Sequence, residues 1–221
     1  MTNAQLYTIR NQVFWLSAER CVFWEDERML IVSDLHIGKT GHFRKSGIPV
    51  PQRIYKDDLH RLLTQIMYFK ADRLLIVGDL SHSRSNKELD LFARWRKDFP
   101  LLKIDLVKGN HDILDTLWYR ENDIHLHEIE LIIKQFRFCH HLEPGAGSGL
   151  TNPYYHFSGH LHPGIHLRGV GKQSLYFPCF YFSKNHCVLP AFSYFTGLHR
   201  IKPAEGEKVF VIVENTVMEV S

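Results

Sequence analysis

The sequence predicts an α/β protein in which two β-sheets pack on one another and helices flank them. Two observations carry this. In the first half, short apolar runs alternate with amphipathic segments of helical spacing, the pattern of a parallel sheet with helical crossovers. From residue 124 onward, strand-like segments follow one another with almost no helical periodicity, which suits a second, mostly antiparallel sheet packed on the first. The 221 residues are 44% hydrophobic, enough for a substantial core, and no Pro/Gly/Ser linker divides them. Residues 1–221 are therefore expected to form a single domain.

Residues 6–9, 13–16, 21–24 and 29–33 read as consecutive short strands, with Glu25-Asp26-Glu27 as a turn and the first three as antiparallel edge pieces. The basic, glycine-rich stretch 37–51 reads as a loop. Pro51 suits the first turn of a helix running to about residue 69, with Leu59, Leu62, Leu63, Ile66 and Met67 as its core stripe and His60 exposed. A buried strand follows at 74–77, then a capping-box pair, Ser85 and Glu88, opens a helix that ends before Pro100. The strand 104–107 leads into Gly109-Asn110-His111-Asp112 and a short helix over 113–119. Later strands are expected at 124–128, 131–139, 154–158, 174–182, 187–189, 209–213 and 216–220, with the glycine-rich segment 145–149 as a rim or connector.

Lys and Arg exceed Asp and Glu by only 27 − 24 = 3, so no highly charged tail advertises nucleic acid, although a local basic groove remains open. Cys21, Cys139, Cys179 and Cys187 show no C-x-x-C spacing and read as reduced core residues of a cytoplasmic protein. There is no basic-then-apolar leader, and no apolar run approaches the ~18 residues that cross a membrane.

Fifteen histidines are the anomaly. Three of the predicted strands run directly into Asp34-Leu35-His36, Asp79, and Asn110-His111-Asp112, at the carboxyl ends where open α/β sheets place ligands. Period-two alternation puts His140 on the face of Phe136 and Phe138, with His141 pointing the other way, and an H-x-H follows at His160 and His162. Carboxylates and imidazoles gathered at strand ends make a metal site by composition. Beside them, Lys39, Arg44 and Lys45 either meet substrate phosphates or belong to a solvated loop. Gly38-Lys39-Thr40 is not a P-loop, because the upstream glycine of that motif is absent.

D-x-H at 34–36, G-D-x-x-H at 78–82, G-N-H-D at 109–112, a histidine at 140 and G-H-x-H at 159–162 resemble the calcineurin-like metallophosphoesterases. More narrowly, D-L-H-I-G-K at 34–39, Phe43-Arg44 with G-I-P-V-P at 47–51, G-H-L-H-P at 159–163, and L-P-A-F at 189–192 with Phe195-Thr196-Gly197 are similar to the ligase-associated DNA damage response endonucleases, the PdeM group. That similarity covers nearly the whole chain. It implies an α/β/β/α sandwich of two mixed sheets holding two divalent metal ions. Asp34, His36 and His162 would hold one, Asn110, His140 and His160 the other, and Asp79 would bridge them, so that the ions activate a water and clamp the phosphoryl oxygens. Manganese is the first expectation, with iron or zinc as alternatives, since imidazole and carboxylate ligands without thiolate suit all three. His111 would face the scissile phosphate with Asp112 orienting its ring, and His82 would be an outer or substrate contact.

One departure stands out. The group's single histidine is followed by an acid and proline, whereas this chain reads His140-His141-Leu142-Glu143-Pro144, which leaves His141 open as the ligand. The activity implied is phosphodiester hydrolysis of nucleic acid, by a DNA endonuclease acting on single-stranded or looped DNA in repair, in association with a DNA ligase and a helicase. The alternatives are hydrolysis of a small nucleotide or phosphoester, which the low net charge suits, and a non-catalytic scaffold, which the intact ligand set disfavours.

Overall fold

The computed structural model describes residues 4–45, 47, 50, 53–82, 87–142, 153–168 and 174–220. The Pro51 helix start, the Ser85 capping position, the 145–149 segment and the Lys45 side chain lie outside the described residues.

The first sheet has seven strands in sequence order: β1 (Ala4–Ile9), β2 (Gln12–Ser17), β3 (Cys21–Trp24), β4 (Met29–Val32), β5 (Arg73–Val77), β6 (Lys103–Val107) and β7 (Ile124–His127). β1 to β4 are antiparallel hairpins, and β4 to β7 are parallel. Helices α1 (Lys39–Lys45), α2 (Arg53–Phe69), α3 (Lys87–Asp98) and α4 (Thr116–Glu121) lie between the parallel strands in the chain. The second sheet holds β8 (Glu130–Ile133), β9 (Phe136–Cys139), β10 (Tyr155–Ser158), β11 (Pro163–Arg168), β12 (Ser174–Phe182), β13 (His186–Val188), β14 (His199–Arg200), β15 (Lys208–Val213) and β16 (Thr216–Glu219).

An aromatic layer joins the sheets. Phe14, Trp24, Phe136, Phe138, Phe157, Phe180, Phe182 and Phe210 are buried in one cluster drawn from both. The Phe138 and Phe157 rings stack at 5.3 Å, while Phe14 meets Phe136 edge to face at 5.2 Å. Side chains alternating along neighbouring strands give this interior its single dry layer. The opposite face of the first sheet packs on α2, α3 and α4 through Leu62, Ile66, Leu89, Phe92, Trp95 and Tyr119. Among the described residues the outer face of the second sheet carries no helix; Ile201 covers Cys179 and Val209 there.

Four expectations are corrected. The stretch 37–51 contains α1 rather than a loop, because Glu88 accepts from Gly38 N at 2.8 Å and bonds the Thr40 hydroxyl, a cap supplied from α3 that local sequence does not reveal. Met67 is 65% exposed, at the edge of the stripe that buries Leu62 and Ile66. The strand expected at 131–139 is a hairpin: Lys134 takes a left-handed φ of 52° and pairs Ile133 with Phe136. Finally, β7 joins the first sheet, since α4 returns the chain to lie parallel beside β6. The second sheet is mixed and mostly antiparallel, as expected, with β9, β10 and β13 mutually parallel. The four cysteines are buried and free, as expected.

Candidate metal centre

β4, β5 and β6 pair in register, Val32 opposite Ile76 and Val77 opposite Val107, so the residues after each strand leave the sheet at one height. Backbone bonds from Asp34 N to Gly78 O (3.1 Å), His36 N to Asp79 O (2.9 Å) and Ile37 N to Leu80 O (2.9 Å) continue the pairing past the strand ends. The turns leaving β9 and β10 arrive from the second sheet, with Gly159 N on His140 O at 3.1 Å.

The side chains form two adjoining groups. Asp34, His36 and His162 make one, with His162 Nε2 3.1 Å from Asp34 Oδ1 and 3.4 Å from His36 Nε2. Asp79, His140 and His160 make the other, with His140 Nε2 3.3 Å from both Asp79 Oδ2 and His160 Nδ1 and 3.2 Å from Asn110 Oδ1. Asp79 Oδ2 also lies 3.9 Å from His36 Nε2, so this carboxylate stands between the groups. Asp34, His36, Asp79 and His140 are buried, whereas Asn110 and His160 are exposed at the mouth. His140 is the ring inside the cluster; His141 is exposed, its ring 4.9 Å from that of His160.

The backbone is strained where these groups sit. Asp34, His36, Asp79, His160 and His162 all have left-handed φ, between 49° and 65°. Each such non-glycine residue costs about 1–3 kcal/mol, and strain of this kind gathers at functional sites. Gly78, at φ 82°, allows a close approach: a Cβ there would lie 2.0 Å from His140 Nδ1. Gly78→Ala is accordingly expected to lower stability by about 2–6 kcal/mol from backbone strain plus overpacking. Urea unfolding checks this, and a change within 1 kcal/mol of zero would contradict it.

The donor set fits cations. His140 Nδ1 faces Val77 O at 3.0 Å, which turns Nε2 toward Asp79, Asn110 and His160. Those neighbours are themselves acceptors, and convergent acceptors are satisfied by a shared proton or by a metal. Burial holds the His36 imidazole down to about 3, so it is the neutral ligand form. Burial also opposes charge on His140, but Asp79 and Asp34 outweigh it and bring that ring up to about 9. Without a cation, His140 carries the positive charge between the carboxylates. Asp34 Oδ1 is buried without hydrogen-bond geometry to any partner among the described residues, while Ser33 Oγ and His160 N donate to its Oδ2 at 2.6 and 3.1 Å.

The neighbours divide. His111 sets its ring 5.4 Å from that of His36 and 4.4 Å from that of His82, placing all three side by side, and its N–H donates to Asp79 Oδ1 at 2.9 Å. Lys39 opens α1, half-buried, and its ammonium senses Asp34 and Asp79, although burial dominates and lowers its pKa. Two expected contacts are placed differently. Asp112 gives its oxygens to Ser81 N and Gly109 N, each at 2.9 Å, so it stitches the β5 and β6 turns together instead of orienting the His111 ring. Its burial pushes the carboxyl up to about 6. Arg44 spends its guanidinium on Glu88 (3.2 Å) and Val50 O (3.3 Å), because that buried acid needs a cation.

Sequence reasoning assigned no role to Ser33 or the 189–193 segment, and it read Glu88 only as a capping residue of its own helix, where the structure turns it to Gly38 N and Thr40 of α1. Phe192 N donates to Ser33 O at 2.8 Å and Ser193 N to Asp34 O at 3.3 Å, fixing the Asp34 turn from the far end of the chain. The L-P-A-F motif was the available signal, and its work is done by backbone groups.

Residues 27–196 match the family model for calcineurin-like phosphoesterases. Among solved structures, Pseudomonas putida nuclease MPE superposes with a TM-score of 0.83 at 29% identity, over 99% of this chain and 100% of that one. The E. coli phosphoesterase Yfce aligns at TM-score 0.44 and 15% identity, over 87% of this chain and 97% of that one. No curated protein sequence matches significantly. With most of its length matched and its histidines and carboxylates gathered at the sheet rim, the chain belongs to the calcineurin-like phosphoesterase family and is a metal-dependent phosphoesterase.

Proposed function

We propose that the protein is a phosphodiesterase that cuts DNA internally, in single-stranded or looped regions, using two divalent metal ions. The observation that carries this is the position of Asp79, whose Oδ2 lies between His36 and His140 and can serve both groups. In this reading Asp34, His36, Asp79 and His162 would hold one ion, and Asp79, Asn110, His140 and His160 the other; manganese is the first choice, iron and zinc the alternatives. When bound, the pair supplies Lewis-acid activation of water and neutralisation of phosphoryl charge.

The chain's own residues supply the rest. His111 and His82 lie beside His36 and face the phosphate, His111 stabilising its charge and handing a proton to the leaving oxygen. Lys39 attracts the phosphate from the start of α1. The buried carboxylates keep the ligand rings oriented, and Asp112 holds two turns in register so that His111 stays near Asp79. The nuclease named among the structural neighbours, alike over the whole chain, supports a nucleic-acid substrate. Action in DNA repair beside a ligase and a helicase rests on the motif resemblance. Four buried free thiols suit a cytoplasmic protein, and no helix among the described residues is long and apolar enough to cross a membrane.

The test is manganese-dependent nicking of a closed circular single-stranded DNA, with bis-para-nitrophenyl phosphate assayed in parallel. Nicking that is lost with His111→Ala supports the proposal. Turnover of the small diester with the circle left intact would replace it with hydrolysis of a small phosphoester, and silence in both assays would leave a scaffold.

A further inference from the structure

A second cluster of ligand-type side chains lies on the edge of the first sheet, on different residues from the phosphoesterase site. β7 is the last strand of that sheet, and its Ile124-His125-Leu126-His127 run repeats the H-x-H spacing with both rings on one face, 4.4 Å apart. The parallel register sets His125 opposite Asp105 of β6. His127 Nε2 lies 2.8 Å and His125 Nδ1 3.6 Å from the same oxygen, Asp105 Oδ1. We propose that Asp105, His125 and His127 form a third metal site, which takes one zinc or similar transition-metal ion.

The geometry suits such an ion. Ligand bonds of 2.0–2.1 Å in a tetrahedral site set neighbouring ligand atoms about 3.3–3.4 Å apart. The observed separations of 2.8 and 3.6 Å bracket that value, and only side-chain adjustment is needed to equalise them. Access is open on one side, since the His125 side chain is 75% exposed while Asp105 is 10% exposed. A fourth position is then left for water. Two imidazoles and one carboxylate favour zinc, nickel or copper over magnesium or calcium.

The surroundings set the strength. Arg73 Nη2 lies 2.9 Å from Asp105 Oδ2, which fixes the carboxylate with its other oxygen toward the histidines. Arg73 also faces Glu27 at 4.0 Å, and Lys103, Arg120 and Asp123 line the adjoining cleft. His127 and Arg73 outweigh burial and keep Asp105 ionised. The three neighbouring cations, Arg73, Lys103 and Arg120, offset the pull of these carboxylates on an ion, so the site is weaker than the proposed catalytic pair, which has two carboxylates of its own.

The test compares the full-length protein with a His125→Gln/His127→Gln variant, both dialysed against micromolar zinc and analysed for bound metal. The wild type is expected to hold one more ion per chain than the variant. Because only the difference is read, the result stands whether or not the catalytic residues load as proposed. Equal metal content in the two proteins overturns the site. Circular dichroism checks that the variant is folded, and histidine side-chain nitrogen NMR of the wild type gives a readout needing no variant. Zinc must shift the ring signals of His125 and His127, and their failure to move also overturns it.

Discussion

Replacing Asp79 with asparagine is expected to lower phosphodiester turnover by about 10²–10³-fold, the scale on which removing one preorganised electrostatic contact slows an enzyme, and to leave the protein short of metal. Asparagine is the informative choice for two reasons. Asp79 has a left-handed backbone at φ 54°, which asparagine tolerates better than most residues, so the turn survives the change. Its Oδ1 also still accepts the His111 N–H seen at 2.9 Å. What disappears is the negative charge between His36 and His140. Turnover of bis-para-nitrophenyl phosphate, metal content by mass spectrometry and a thermal melt together check the result. A folded variant holding its full metal complement and more than about a tenth of wild-type activity would sink the bridging role, since a bridging charge cannot be spared at that level.

Much of this centre was legible in the sequence because each ligand follows a buried apolar run. Strand ends in a parallel sheet lie at one rim, so Asp34, Asp79 and Asn110 could be brought together on paper before any distance was known. The choice between His140 and His141 was half-legible: alternation from Phe136 favoured His140, and its place against Asp79 and Asn110 agrees with that side. The supporting shell was not legible. Glu88 caps α1 from another helix, and Ser193 fixes the Asp34 turn across most of the chain, contacts made by tertiary proximity. Local patterns carry no trace of such partners. Arg44 shows the same limit from the other side, because a basic residue beside a phosphate-type site looks like a substrate contact until its buried acid is seen. The hairpin at Lys134-Gln135 escaped notice because neither residue is a usual turn former.

His111→Ala is expected to separate chemistry from metal binding. The ring belongs to neither ligand group, yet it lies 5.4 Å from the His36 ring, and the residue is held in place by its backbone N–H on Asp79. Metal content should therefore stay at the wild-type value while kcat falls by about 10²–10⁴-fold, the range of a lost acid–base group, with little change in KM. Loss of an ion from the variant would instead make His111 a ligand. The size of the loss on two substrates then distinguishes what the ring does. Para-nitrophenolate leaves as a stable anion and needs no proton, whereas the sugar oxygen released from DNA does. A general acid is missed far more on DNA than on the small diester, while a group that only stabilises charge on the phosphoryl oxygens is missed equally on both. Asp112 is engaged with Ser81 and Gly109, so it is not the group that carries a second proton to this ring. The larger loss is accordingly expected on DNA, with the proton returned to His111 from solvent between turnovers.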